Sequence, residues 1–294
     1  MSLSRHLQKN ILPNIQNISP NELKSGVLQL GSQWYSEHSD EQLLIEKNLD
    51  QFKISATPEL IDNIKENILL HYYEKLLPLT GTPQQYFQFL NDSIDGSEAI
   101  EQIEAVHRSG RGVLLATAHF GAVEFIAPFL SIRKLPMNVL LRFTTEQMSA
   151  SINDRAEQYF QSGLFEKTRF IELGKPKTSA ALDMAAVLRR NELLLAVFDE
   201  KTDYSIPVTL YNKQLWGGAG LHKLIAFTQR DIALFTIFML RLKNGRYKVI
   251  VKEIDKDSKE AVQMLYNSLS DLIADNLEQW YFLHEELPFV ETAV

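Results

Sequence analysis

The hydrophobic pattern changes character once along the chain. From residue 21 to about 110, apolar residues recur at helical intervals. Glu41–Phe52, Pro58–Leu77 and Ser97–His107 each carry such a stripe, separated by Pro58, Pro78, Gly81-Thr82-Pro83 and Asp95-Gly96. From Gly112 onward, short apolar runs alternate with helical stripes. Val113–Thr117, Met137–Arg142, Leu193–Phe198, Ile206–Leu210, Ile232–Arg241 and Tyr247–Val251 read as strands. Helices are expected over Gly121–Ser131, Glu146–Ser162, Lys177–Arg190, Gly218–Thr228 and Ser258–Leu277. Asn244-Gly245 is a hairpin turn signal, so the two strands around it should pair antiparallel.

Alternating strands and helices point to an α/β fold. The expectation is a mixed, mostly parallel sheet covered by helices on both faces. An N-terminal helical subdomain, residues 1–110, precedes an α/β region, residues 111–294, in one continuous domain.

Composition narrows the chemistry. The 294 residues contain no cysteine, which excludes disulfides, thiolate zinc sites and a cysteine nucleophile. A formal net charge of −7 gives no support to nucleic-acid binding, though it leaves room for a local basic patch. Met1–Pro20 is polar and broken by Pro13 and Pro20, with neither a signal-peptide core nor a membrane-spanning run. The longest apolar stretch, near Ile232–Leu240, is too short to span. These features predict a cytoplasmic protein that touches a membrane only peripherally.

The segment richest in chemistry is His119-Phe-Gly-Ala-Val-Glu124. It follows the buried run Gly112-Val-Leu-Leu-Ala-Thr-Ala118 and opens a helical stripe, so a histidine and a carboxylate sit where a strand hands over to a helix. In α/β proteins that edge carries ligand sites. A neutral imidazole beside a carboxylate is a general base held in one tautomer. The plain alternative is a capping histidine and an exposed glutamate. Arg142 and Asp199 end two other apolar runs and should reach the same rim. Each alone reads as surface; their convergence favours a site. Arg155, on the helix after Arg142, reads in isolation as a solvated arginine pairing with Asp154 or Glu157. Trp216-Gly-Gly-Ala-Gly220 would open a helix and offer amides to a phosphate, or its glycines serve close packing. His71, His107 and His284 are isolated, no cluster has metal-ligand spacing, and no Gly-x-Ser-x-Gly elbow is present.

Taken in order, these residues resemble the lysophospholipid acyltransferase superfamily, most closely the lipid A lauroyl/myristoyl acyltransferase branch. His119-x4-Glu124 is similar to the superfamily's His-x4-Asp/Glu signature, and Gly121 lies within it. Leu140-Leu141-Arg142, Arg155 and Val197-Phe-Asp199 resemble the arginine-bearing strand, the arginine of the next helix and the strand ending in aspartate. Ile206–Tyr211 followed by Gly218–Ala226 resembles the strand, loop and helix that come next. Ile45-Glu-Lys-Asn-Leu-Asp50 with Phe52 is similar to an N-terminal helical pattern, and Asn276-Leu-Glu-Gln-Trp-Tyr-Phe-Leu-His284 to a C-terminal one. The likeness spans roughly Glu41 to His284. Departures are also plain. The branch's N-terminal membrane helix is not seen, Arg142 is followed by Phe143 rather than proline, and Asp199 is followed by Glu200-Lys201. Tyr211-Asn212 stands where the branch has an aromatic residue and glycine, and Gly174-Lys-Pro-Lys177 lengthens the interval before Asp199. Lipid A as the acceptor does not follow from this pattern.

The resemblance implies transfer of a fatty acyl group from a thioester, on coenzyme A or an acyl carrier protein, to a hydroxyl or amine of a lipid or lipid-like acceptor. His119 would be the general base and Glu124 would orient its imidazole. Arg142 and Arg155 would hold an anionic phosphate or phosphopantetheine. Asp199 would shape the site or fix one of those arginines. No cofactor beyond the acyl donor is implied. Arg108, Arg111, Arg133, Lys134, Lys175 and Lys177 offer a basic rim for an acidic carrier protein, whereas coenzyme A needs none. Two rivals stand beside this reading: a non-catalytic lipid or acyl-carrier binding protein on the same fold, and an acyl-thioester hydrolase in which His119 activates water.

Overall fold

Serine or threonine followed by proline opens several of the N-terminal helices. Ser19-Pro20, Thr57-Pro58 and Thr82-Pro83 each place a capping hydroxyl before a proline at the first helical position, where its missing N–H costs nothing. Glu22 and Gln85 complete capping boxes at two of these starts. The structure, a computed structural model, describes residues 2–142, 146–173, 180–202, 204–228 and 231–290. In chain order its elements are α1 (Leu3–Ile11), α2 (Pro20–Glu37), α3 (Asp40–Gln51), α4 (Pro58–Leu76), α5 (Pro83–Ser93), β1 (Ile94–Asp95), α6 (Ser97–Arg108) and β2 (Gly112–Thr117). There follow α7 (Ile126–Ile132), β3 (Met137–Leu141), α8 (Glu146–Gln161), β4 (Thr168–Glu172), α9 (Ala180–Arg189) and β5 (Leu193–Val197). The chain continues through β6 (Ser205–Leu210), β7 (Lys213–Gly218), α10 (Gly220–Thr228), β8 (Ile232–Arg241), β9 (Tyr247–Ile254) and α11 (Ala261–Asn276).

Seven strands form one sheet in the order β1-β9-β8-β2-β5-β3-β4, with only the β8/β9 pair antiparallel. The expected mixed, mostly parallel α/β sheet is therefore present. So is the expected hairpin, running from Leu234 opposite Ile254 to Arg241 opposite Tyr247. Connections from β2 to β3 and from β4 to β5 run in opposite directions across the sheet. Right-handed crossovers therefore put α7 and α9 on opposite faces. Every residue of β2 is buried, which is why that strand reads as an unbroken apolar run.

Several elements depart from the sequence reading. The polar N-terminus is helical: Leu3, Leu7 and Ile11, spaced by four, form the buried stripe of α1. Ile206–Leu210 lies outside the main sheet and pairs with β7 across a two-residue turn. At that turn Tyr211 and Asn212 both have positive φ, 52° and 99°, as a right-twisted hairpin requires. Trp216–Gly218 ends β7 rather than opening a helix. The stripe expected as one helix from Gly121 is a tight turn at Val123–Phe125 followed by α7, which places Glu124 in the turn. β4 has no counterpart in the sequence pattern; it is a short edge strand with charges at Arg169 and Glu172. Gly174-Lys-Pro-Lys177, including Lys175 and Lys177 of the expected basic rim, lies outside the described residues, as does Phe143.

One continuous core joins the helical N-terminus to the sheet, reaching from Leu3 and Ile45 through Leu115 and Phe235 to Leu283. A buried ion pair crosses it. Arg241 at the end of β8 makes two 2.7 Å contacts with the Glu74 carboxylate of α4, whose side chain is fully buried. Burial raises the Glu74 pKa, and the Arg241 guanidinium opposes that shift.

Candidate active site

Strand register builds the site. In the β2/β5 pair Thr117 stands opposite Val197, so the next residues but one, His119 and Asp199, leave the sheet side by side. Asp199 grips His119 twice. One carboxylate oxygen accepts from the His119 backbone N–H at 2.9 Å, and the other lies 2.9 Å from Nδ1. The Asp199 side chain is 1% exposed and the His119 side chain 20%. That leaves Nε2 as the outward nitrogen. Burial lowers the imidazole pKa, but the charge and hydrogen bond of Asp199, with the charges of Glu200 and Glu124 adding to them, outweigh it and leave the pKa above its usual 6.5.

The loops behind this pair are pinned. The Tyr266 hydroxyl of α11 donates to the Phe198 carbonyl at 2.7 Å and accepts from the Gly218 N–H at 3.0 Å. Gly218 itself lies against the carbonyls of Phe198 and Glu200, where a Cβ would be 3.0 and 2.9 Å away. The glycines after Trp216 thus serve close packing, and the Gly218 amide is not offered to a phosphate. Gly121 has φ +60° and a Cβ there would lie 2.1 Å from the Met239 carbonyl, so it lets the His119 loop cross β8.

The C-terminal segment covers the other side of the loop. Trp280 bridges antiparallel to Phe120, and Tyr281 donates its N–H to the His119 carbonyl at 2.9 Å. The Phe282 ring lies 4.6 Å from the His119 ring, centroid to centroid. Gln279 binds both backbone groups of Arg241 at 2.9 Å. From the N-terminal region, the buried Asn48 amide holds the Leu283 and Glu285 carbonyls at 2.9 and 2.8 Å. The two outer motifs noticed in the sequence therefore meet behind the histidine.

The expected role of Glu124 is corrected by this geometry. Asp199 is the imidazole's partner, while Glu124 lies 3.7 Å from Nε2 of His71 on α4. Burial above all, with the charge of Lys75 adding to it, holds the His71 pKa well below its usual value and keeps that ring neutral. His71 also packs against Tyr281, the two rings tilted and their centroids 4.3 Å apart. Glu200, which the sequence pattern marks only as a departure, has a carboxylate oxygen 3.7 Å from His119 Nε2.

His119, Glu124 and Glu200 line a cavity of about 1130 Å³. It opens where the sheet divides. β3 and β5 are paired only as far as Val139 opposite Leu195, while β3 runs on with β4 to Leu141 and β5 with β2 to Val197. Its walls are largely apolar, with Leu140, Phe170, Met184, Leu221 and Leu224 among them. Arg142 is exposed at the end of β3 and lines the cavity. Arg155 lines it too, but its donors are engaged. Nε binds the Pro78 carbonyl at 2.7 Å, and the Thr80 and Gly81 carbonyls each accept at 2.9 Å. The anion-holding role expected of Arg155 is replaced by a grip on the chain after α4. Among the described residues it pairs with neither Asp154 nor Glu157; it also reaches Gln158 at 3.0 Å and lies over the Tyr159 ring, 4.8 Å from its centroid. Gly121 does not line the cavity, and Asp199 lies behind His119. Among the described residues, no group of three or more His, Asp or Glu is arranged to hold a metal ion.

An aspartate-held imidazole facing a largely apolar cavity at the carboxyl edge of a mostly parallel sheet has the makings of a general base beside a site for an apolar ligand. The chain belongs to the bacterial lipid A biosynthesis acyltransferase family, whose family model matches residues 90–287. It is an acyltransferase. A comparison with individual curated proteins finds no match. Among the described residues, no helix is long and apolar enough to cross a membrane.

Proposed function

We propose that the protein transfers a fatty acyl group from a thioester, on coenzyme A or an acyl carrier protein, to a hydroxyl or amine of a lipid or lipid-like acceptor, with His119 as general base. The observation that carries this reading is the 2.9 Å contact between His119 Nδ1 and Asp199, which leaves Nε2 facing the apolar cavity. In the step itself the acceptor's proton passes to Nε2 as its oxygen or nitrogen attacks the thioester carbonyl. Asp199 stabilises the imidazolium that forms, as a buried aspartate does for other catalytic histidines. The carbon–sulfur bond then breaks, and the departing thiolate takes the proton back.

The cavity, about 1130 Å³, is large enough for an acyl chain. Arg142 and the exposed Lys75 and Lys223 on its walls suit the phosphates of the donor. Leu12, Tyr204 and Phe227 are 40%, 56% and 46% exposed on the same walls, an apolar rim that supports entry of lipid from a membrane surface. The test is incubation of the purified protein with acyl-coenzyme A or acyl-carrier donors and a panel of lipid and small-molecule acceptors. Free thiol and acylated product are followed together by mass spectrometry. Thiol release without any acylated acceptor would instead establish hydrolysis.

A further inference from the structure

The space in front of the imidazole is flanked by a second acceptor of hydrogen bonds. Nε2 of His119 and Oε1 of Glu200 are 3.7 Å apart, too far to bond to each other, and both residues line the cavity. An acceptor atom that delivers its proton to Nε2 therefore sits beside the Glu200 carboxylate. A hydroxyl has one proton; once that is directed to Nε2, only lone pairs face Glu200, and the growing negative charge on oxygen is repelled. An amine nitrogen has a proton for each partner and is cationic before it reacts.

The charge around this point has the same sense. Glu124 lines the cavity, and its neighbour at ion-pair distance is His71, which burial keeps neutral. Glu200 has His119 as its neighbour at that distance. Among the described residues, neither carboxylate has a lysine or arginine at ion-pair distance. The cations that share the cavity stand off from both carboxylates: Arg142 sits across the split in the sheet at the end of β3, and Lys75 of α4 lies beyond ion-pair distance.

We propose that the acceptor nucleophile is a primary amine on a lipid or lipid-like molecule, bound as its ammonium, and that Glu200 is the residue that selects it. This rests on the acyl-transfer reading of the same site. In the balanced step the ammonium first releases one proton to water past the Glu200 carboxylate. The free amine then attacks; the carbon–nitrogen bond forms and a second proton passes to Nε2. The carbon–sulfur bond breaks and the thiolate takes that proton. The products are an amide, a free thiol and one released proton.

The test uses n-octylamine and n-octanol as matched probes, with the full-length protein and Glu200→Gln. Calorimetry should show octylammonium bound at least about tenfold more tightly than octanol, a modest factor because the Glu200 side chain is 52% exposed. Glu200→Gln should erase the preference while leaving the melting temperature in place. Equal binding of the two probes by the unmodified protein, or an unchanged preference in Glu200→Gln, overturns the proposal. With acyl-coenzyme A added, amide should form with a higher kcat/KM than ester, and Glu200→Gln should close the gap. Ester formed as efficiently as amide also overturns it. Preferential binding of the amine with neither thiol release nor product would instead reject the acyl-transfer reading and leave the amine preference standing.

Discussion

The side-chain amide of Asn48 reaches the carbonyl of Leu283 at 2.9 Å, tying α3 to a segment 235 residues later. It also holds the Glu285 carbonyl, so one buried amide fixes the C-terminal end of the turn whose Phe282 lies against His119. Asn48→Ala strands these acceptors. The expected cost is about 1–3 kcal/mol in urea unfolding, with a fall in turnover from a looser Tyr281–Phe282 segment. Unchanged stability and turnover would show that the tether does not matter to the site.

The Glu74–Arg241 pair makes a sharper energetic prediction. Either single substitution, Glu74→Leu or Arg241→Met, leaves one buried charge unpaired and should cost about 3–5 kcal/mol. The double variant should recover much of that loss, because desolvation no longer opposes an apolar pair. A double-mutant cycle by chemical denaturation checks this; additive losses would contradict it.

The two arginines separate structure from binding. Arg155→Ala removes donors from the Pro78, Thr80 and Gly81 carbonyls and should lower the melting temperature. Arg142→Ala should leave the melting temperature alone and raise the donor KM, with lysine restoring it partly. Calorimetric melting and donor titrations on the same variants decide the matter. The reverse pattern would return Arg155 to the anion site.

Much of the sheet was legible because β2, β5 and β8 are buried on both faces and read as plain apolar runs. The partner of His119 was not. Its identity depends on β5 lying next to β2, an order set by three crossovers, and on the register that aligns Thr117 with Val197. Nothing local to Asp199 encodes either. Glu124 was favoured because it is near in sequence, yet the chain turns tightly at Val123–Phe125 and carries it toward His71. Arg155 was misread for a similar reason: its acceptors are main-chain carbonyls more than seventy residues upstream, and carbonyls leave no mark in a sequence. α1 had its signal, Leu3, Leu7 and Ile11, but the polar residues between them and Pro13 obscured it.

The pH dependence of turnover distinguishes the two carboxylates. Neutral His119 is the base, so kcat/KM should rise with pH through a pKa above 6.5. Asp199→Asn removes the charge that raises this pKa and leaves the burial that lowers it. The acid limb should therefore move to lower pH while the plateau falls roughly a hundredfold or more. Glu124→Gln should move the limb less, since its charge contributes less than that of Asp199. A larger displacement by Glu124→Gln would make Glu124, after all, the residue that governs the imidazole.

The central claim is that Nε2 of His119 takes the proton of the acceptor. The most direct measurement is the single-turnover rate of acyl transfer by His119→Ala at saturating donor and acceptor, on protein whose melting curve matches the unmodified chain. The account predicts a loss of about 10²–10⁴-fold with acyl-donor binding retained. A folded His119→Ala protein that still transfers acyl groups at close to the normal rate would contradict it.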